Sequence, residues 1–242
     1  MALNPMHQFE VYKIGPDINL GGVNLSFTNA SLFMVLSSIL ILSMLFIGTK
    51  KKTLIPSKIQ LITEMSYTFV AKMISETAGS KAKSFFPFIF TLFMFVLFCN
   101  MVGMLPYSFT VTSHIIVTFV LAAIIFVGVT ILGFAKHGFK YLELFVPKGV
   151  PLILLPIIVI IEIISYLSRP VSLSVRLFAN MMAGHTMLKV FGGFVISLGL
   201  LGGWLPLTFS VALTGLEILV AFLQAYVFAI LTCIYLNDAL NL

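Results

Sequence analysis

An all-α integral membrane protein is predicted, with one N-terminal transmembrane helix, an interfacial amphipathic helix, a transmembrane hairpin and a long, steeply tilted C-terminal helical hairpin. Composition sets the class: 60% of the 242 residues are hydrophobic and only 9% are charged, where a soluble domain carries roughly 25% charged residues. Mean hydropathy is +1.14, and several charge-free tracts reach the roughly 20 apolar residues that one crossing needs. The net charge of +6 comes mostly from lysines in short inter-helix segments, so it bears on topology and not on nucleic acid.

No formal charge lies between Asp17 and Lys50, and the run 30–48 fits the first crossing. Residues 57–79 read differently. Ile59, Ile62, Phe69, Met73 and Ile74 recur at helical spacing while Lys58, Glu64, Lys72 and Glu76 interrupt, which suits a helix lying in the interface. The tract 84–135, bounded by Lys83 and Lys136, is long enough for two helices, with "MLPYSFTVTSH" around Pro106 as the turn. Lys50, Lys51, Lys52, Lys58, Lys81, Lys83, Lys136 and Lys140 cluster in alternate connections, whereas the Pro106 turn has only His114. By the positive-inside rule the N-terminus is outside and the basic segments are inside.

Residues 150–236 form the last unit. From 150 to 198 the strongest loop signal is "LSRP" at 167–170. Either Pro170 divides two crossings or one helix of about 75 Å runs steeply tilted through roughly 30 Å of hydrocarbon. The second arrangement is favoured, with "GLLGGWLP" at 199–206 as the outer turn. Five crossings then place the C-terminus inside. The N-terminus shows neither a signal-peptide apolar region nor a transit pattern, so insertion at the site of synthesis is expected. Cys99 and Cys233 lie in apolar stretches and read as buried thiols, with no disulfide expected.

Partners at one depth of a hairpin turning near residue 200 should sum to about 400. Glu162 and Asp238 sum to 400, Arg176 and Gln224 to 400, and His185 and Glu217 to 402. At about 100° per residue, Glu162, Arg169, Ser172, Asn180 and Ala183 share the Arg176 face, and His185 points away. Glu217, Gln224, Tyr235 and Asp238 share a face of the last helix. Ionisable groups in a membrane are costly and usually line an ion or proton path. Carboxylates and imidazole can relay protons. Arginine cannot, so Arg176 reads as a barrier between an inner half-path at Glu162 and Asp238 and an outer one at His185 and Glu217. Plainer readings stand beside these. Lys136, Lys140 and Lys189 suit snorkelling anchors. Glu162 could pair with Arg169 despite the poor spacing, and His185 could be a satisfied core histidine. Asn180 and Gln224 could simply bond between helices. Tyr235 could belong to an aromatic belt, and Asp238 could be a solvated residue near the chain end. His7, His114 and His137 are given no role.

These residues sit in motifs that resemble the subunit a family of F-type ATP synthases over nearly the whole chain. They are "NPMHQF" at the start, "CNMVGMLPYSFTVTSH" at 99–114, "SLSVRLFANMMAGH" at 172–185, "LEILVAFLQAYVF" at 216–228 and "YLNDALNL" at the end. The resemblance implies a tilted hairpin against a rotating ring of c subunits, with two offset half-channels for protons. It implies that Arg176 faces the ring carboxylate, with Asn180 and Gln224 as its polar neighbours. His185 and Glu217 become the outer-channel pair and Glu162 an acidic position near the inner channel; Ser172, Tyr235 and Asp238 are further candidates. Implied partners are the c-ring, peripheral-stalk subunit b, other Fo subunits, the bilayer and protons, with no cofactor, no metal and no nucleic acid. Many bacterial members carry an acidic residue where this chain has His185 and a histidine where it has Glu217. The exchanged order is similar to mitochondrial and alphaproteobacterial members. The mitochondrial inner membrane is therefore expected, with the alphaproteobacterial plasma membrane as alternative.

Three rival functions lack support in the residues. A proton-coupled secondary transporter would show internal repeats and paired broken helices, and none is found. A redox subunit would need histidine pairs as axial ligands, yet only His185 lies well inside a span. A purely structural subunit leaves the cost of Arg176 unexplained. No GxxxxGK[ST] motif occurs, so the chain is expected to hold no catalytic site, and ATP chemistry belongs to other subunits.

Overall fold

The computed structural model describes residues 8–15, 19–20, 23–24, 26–50, 56–105, 108–146 and 154–241. His7, Lys51, Lys52, Pro106 and the first residues of the 150–236 unit lie outside the described residues. A short antiparallel pair, β1 (Asn19–Leu20) with β2 (Val23–Asn24), precedes the helices. The helices are α1 (Asn29–Lys50), α2 (Lys58–Thr77), α3 (Phe86–Gly103), α4 (Ile115–His137), α5 (Leu155–Gly202) and α6 (Trp204–Leu240). Short 3-10 turns occupy Ser80–Phe85, Val111–Ser113 and Gly138–Phe145. Five spans, built on every helix except α2, are long and apolar enough to cross a membrane. The protein is an all-α, multi-pass membrane protein.

Helix α6 is the centre and packs against α2, α3, α4 and α5. Lipid tails are as apolar as leucine, so helices associate in a membrane through close van der Waals fit, which small side chains permit. Ala221, Ala225, Ala229 and Cys233, four residues apart, are all fully buried along α6. Phe93, Ile89 and Val96 of α3, Ile125 of α4 and Leu177 of α5 fill the space around them. Helix α5 differs: only 11% of its apolar window is buried, against 39% for α6. One side of α5 seats on the bundle, and the rest is an open flank.

Pro170 lies inside α5 without breaking it, which removes the arrangement in which it divides two crossings. The regular run ends at Gly199, whose φ of 60° is accessible to glycine with little strain, and Gly203 links directly to α6. At 1.5 Å per residue, α5 is about 70 Å long.

The apolar stripe of α2 is only partly used for packing within the chain. Met73 and Ile74 of that stripe are buried, Ile59, Ile62 and Phe69 are exposed, and Gln60, Thr63 and Val70 are buried beside them. The reason is local. Gly48 of α1 leaves room only where Thr63 sits, and Gln60 is held by a hydrogen bond to Glu64 of 2.8 Å. Close packing against a glycine outweighs apolar periodicity there.

Glycine decides one further contact. Gly138, with φ 57°, turns the chain after α4 and folds Tyr141 back so that its ring lies on Gly133. A Cβ at Gly133 would run into that fully buried ring, whereas one at Gly128 meets nothing within 4 Å. Gly133→Ala should therefore destabilise the protein by about 1–3 kcal/mol, as overpacking does, while Gly128→Ala should be neutral or stabilising. Thermal unfolding of the two variants in one detergent checks this; equal midpoints would remove the argument.

Candidate functional site

The α5/α6 hairpin gathers its polar side chains at three depths. Nearest the Gly199–Gly203 turn, His185 Nε2 lies 3.6 Å from Glu217 Oε1. Glu217 is only 5% exposed, and neither carboxyl oxygen has a hydrogen-bond partner. It can lie there because residue 184 is glycine: a Cβ would sit 2.6 Å from Oε1. Two other parts of the chain close this level. Thr110 Oγ1 is 3.0 Å from His185 Nε2, and the ring of Phe9 meets the imidazole edge-on at 6.5 Å.

At the middle depth, Gln224 is buried and its Nε2 donates to the carbonyl of Arg176 at 2.9 Å. The bond fixes α5 backbone against α6 and leaves the guanidinium alone. Arg176 itself is exposed, together with Ser172, Asn180 and Ala183 on the same flank, while Leu173, Leu177 and Met181 face the core. Among the described residues no carboxylate pairs with Arg176. A stripe of small and polar side chains around an unneutralised cation therefore lies open.

The third depth differs from expectation. Asp238 does not meet Glu162; its Oδ2 pairs with Arg169 Nη1 at 3.2 Å. The guanidinium of Arg169 is stacked between Tyr166 and Tyr235, 5.3 and 5.1 Å from the ring centres. The hydroxyl of Tyr166 bonds to Thr130 Oγ1 at 2.7 Å and to Tyr141 at 3.0 Å. Level arithmetic fails here because an arginine side chain is long enough to reach along the helix to a carboxylate two turns from its own depth. Glu162, also on α5, is half-buried and takes no part in the pair. Tyr235, a weak candidate in the sequence, is one wall of the Arg169 site and not an isolated belt residue. Around the chain end, Lys136 Nζ donates to Leu240 O at 3.1 Å and Lys81 Nζ to Asn241 Oδ1 at 2.9 Å.

Residue spacing thus located two of the three levels, but missed Thr110, Arg169 as the partner of Asp238, Tyr166 and Gly184. Thr110 is separated from His185 by 75 positions, and a threonine in a turn carries no signal of its own. Arg169 did carry one, since a second permanent cation inside an apolar helix needs a partner as much as the first.

Known proteins resemble this chain over its whole length. The sequence pattern of the ATP synthase A chain family matches residues 31–237. An ATP synthase subunit a of Pelagibacter ubique (strain HTCC1062) is 78% identical over 242 residues, covering 100% of this chain and 99% of the relative. Subunits a of Rhizobium rhizogenes (strain K84 / ATCC BAA-868) and Chelativorans sp. (strain BNC1) are 60% and 59% identical, each aligning with 100% of this chain and with 98% and 99% of their own lengths.

The Arg169–Asp238 pair is testable by itself. Arg169→Met, Asp238→Asn and the double variant form a cycle whose coupling in unfolding free energy should reach about 1 kcal/mol or more, as contacting charged residues show. Strict additivity would mean that the pair contributes no stability.

Proposed function

The chain belongs to the ATP synthase A chain family, whose members are the proton-translocating stator subunit of the Fo sector, and from that premise we propose a division of labour among its intramembrane residues. Arg176 is the barrier between two half-paths and faces the carboxylate of a c-ring docked on the open flank of α5. His185 and Glu217 form the outer half-path. Glu162 and Asp238 belong to the inner one, with Arg169 holding Asp238. Asn180, Gln224 and Ser172 shape the ground around Arg176, and Tyr235 supports Arg169.

One observation carries this reading: among the described residues the exposed guanidinium of Arg176 has no carboxylate partner, although a second arginine seven residues away does. A permanent cation in a membrane is stable only with a counter-charge, water or a path to the interface, and we assign the counter-charge to a partner chain. A ring of carboxylates passing the flank supplies it repeatedly. Each ring carboxylate arrives, is held as an anion opposite Arg176, and takes a proton on one side of that position. Every proton crossing releases about 2.3 kcal/mol per 100 mV of membrane potential. A leak past Arg176 would dissipate it, and a group that cannot lose its proton cannot relay one.

The geometry also supports an orientation. Lys81 and Lys136 gather at the end of α6, so the basic connections and the C-terminus share one side. Burial pushes His114 below the ordinary imidazole range, and the α3–α4 turn has no lysine or arginine. With the positive-inside rule, we place the C-terminus inside and the N-terminus outside. The relatives named above are bacterial, which supports the plasma membrane over the mitochondrial inner membrane. Subunit b and further Fo subunits complete the set of proposed partners, and ATP chemistry is assigned to other subunits of the complex.

Arg176→Ala in the assembled complex should abolish proton-driven ATP synthesis and raise passive proton conductance. Arg176→Lys should restore little, since lysine is a compact charge that can lose its proton. Near-normal synthesis by the alanine variant in reconstituted vesicles would sink the barrier reading.

At the outer level, Glu217→Gln should slow synthesis strongly while leaving assembly intact. The exchange of His185→Glu with Glu217→His should retain more activity than either single change, as coupled residues do. If the two losses simply add, His185 and Glu217 act independently.

A further inference from the structure

We propose that Thr110 is a positioning residue of the outer half-path. Its hydroxyl holds His185 as the Nε2–H tautomer, so that the ring turns a donor and not a lone pair toward Glu217. The inference rests on the reading of His185 and Glu217 given above and adds the residue that sets their hydrogen-bond polarity.

The argument is a count of protons and lone pairs. Thr110 Oγ1 lies 3.0 Å from His185 Nε2 and 3.2 Å from the carbonyl oxygen of Gly103. A hydroxyl has one proton to give, and a carbonyl can only accept. Gly103 O accepts from both Ser108 Oγ, at 2.9 Å, and Thr110; with its proton there, the Thr110 oxygen presents lone pairs to Nε2, and the contact is a hydrogen bond only if the nitrogen carries hydrogen. Glu217 Oε1, 3.6 Å from the same nitrogen, makes the same demand whenever the carboxyl is ionised, because a carboxylate is acceptor-only. Two oxygens from two different parts of the chain thus converge on Nε2, and with Glu217 ionised both accept there. Nδ1 is left as the nitrogen on which a further proton comes and goes.

Thr110 has little freedom to do otherwise. It is 4% exposed, and a Cβ on Gly103 would lie 2.7 Å from its Cγ2, so the close approach that aims the hydroxyl needs glycine there. Its carbonyl accepts from Ser113 Oγ at 2.6 Å. Thr112, two residues on, donates to Asn100 Oδ1 at 2.8 Å, and Asn100 Nδ2 donates to the carbonyl of Ala221 at 3.2 Å. Ala221 is one turn from Glu217. The short turn after α3 therefore grips α5 through Thr110 and α6 through Asn100, at the depth of the His185–Glu217 pair.

Nitrogen-15 NMR of the assembled ATP synthase, labelled at histidine, tests the proposal directly. The His185 signal is assigned by its loss in a His185→Gln sample. At a pH where the imidazole is neutral, the expected result is a protonated Nε2 and a bare Nδ1; a resting Nδ1–H tautomer overturns the inference without any Thr110 variant. Thr110→Val keeps the side-chain shape and removes the hydroxyl. It should broaden or mix the tautomer signal and lower ATP synthesis roughly tenfold, the size of one hydrogen bond, and Thr110→Ser should restore both. A valine variant with an unchanged tautomer, or a serine variant no better than valine, counts against Thr110. Glu217→Gln in the same assay separates the two claims. Unaffected synthesis there overturns the proton-path reading. A Glu217-dependent enzyme whose tautomer ignores Thr110 overturns only this inference.

Discussion

A guanidinium that keeps its proton at any depth, set on the open flank of a membrane helix, is the constraint on which the hairpin depends. On the core side of the same turns, Leu173, Leu177 and Met181 are buried to within 3% of complete. This seats α5 firmly while Arg176 points away. Gln224 bonds the Arg176 carbonyl and not its side chain, so the backbone is held and the charge is left for another partner. The small residues on α6 serve the same end. They let α5 and α3 approach the central helix closely, and a rigid seat on one side makes an exposed charge on the other a placed charge.

The two arginines of α5 show what the chain does when it wants a cation neutralised. Arg169 and Arg176 are seven residues apart, which on a helix of 3.6 residues per turn puts them on nearly the same face. Arg169 has an ion pair with Asp238 and two tyrosine rings within about 5 Å, a site in which Coulomb, cation–π and packing contributions reinforce one another. Arg176 has none of these among the described residues. Same residue type, same face, same helix: the difference lies in what the surrounding chain supplies. The absence at Arg176 is thus a property of the site and not of arginine in a membrane.

Much of this was legible in the sequence because a hairpin in a membrane leaves few choices. Every backbone group must be satisfied within the helix, so spans read from charge-free tracts. A turn marked by glycines near residue 200 fixes which residues face each other. That is why His185 found Glu217 and Arg176 found Gln224. Spacing failed where side-chain reach or close contact took over. Arg169 captured Asp238 from a neighbouring depth, leaving Glu162 aside. Thr110 was invisible because its role comes from tertiary contact between a turn and a helix 75 residues away, and no periodicity encodes that.

The outer level is defined by what has been taken away as much as by what is present. Gly184 has no side chain where Glu217 needs room, and Gly103 has none where Thr110 must approach. Among the described residues, the carboxyl that fills the first space has neither oxygen hydrogen-bonded. Leaving a buried polar group unmet costs about 1–3 kcal/mol, and a fold selected for stability alone would provide a donor. A carboxylate saturated by fixed donors, however, is held in its charged form, which is the condition of a structural anion and not of a group that must gain and lose a proton on every passage. Asp238, by contrast, has a fixed donor, with Arg169 Nη1 3.2 Å from its Oδ2. Glu217, the proton-exchanging group of the proposed outer half-path, has no such donor among the described residues and one imidazole 3.6 Å away.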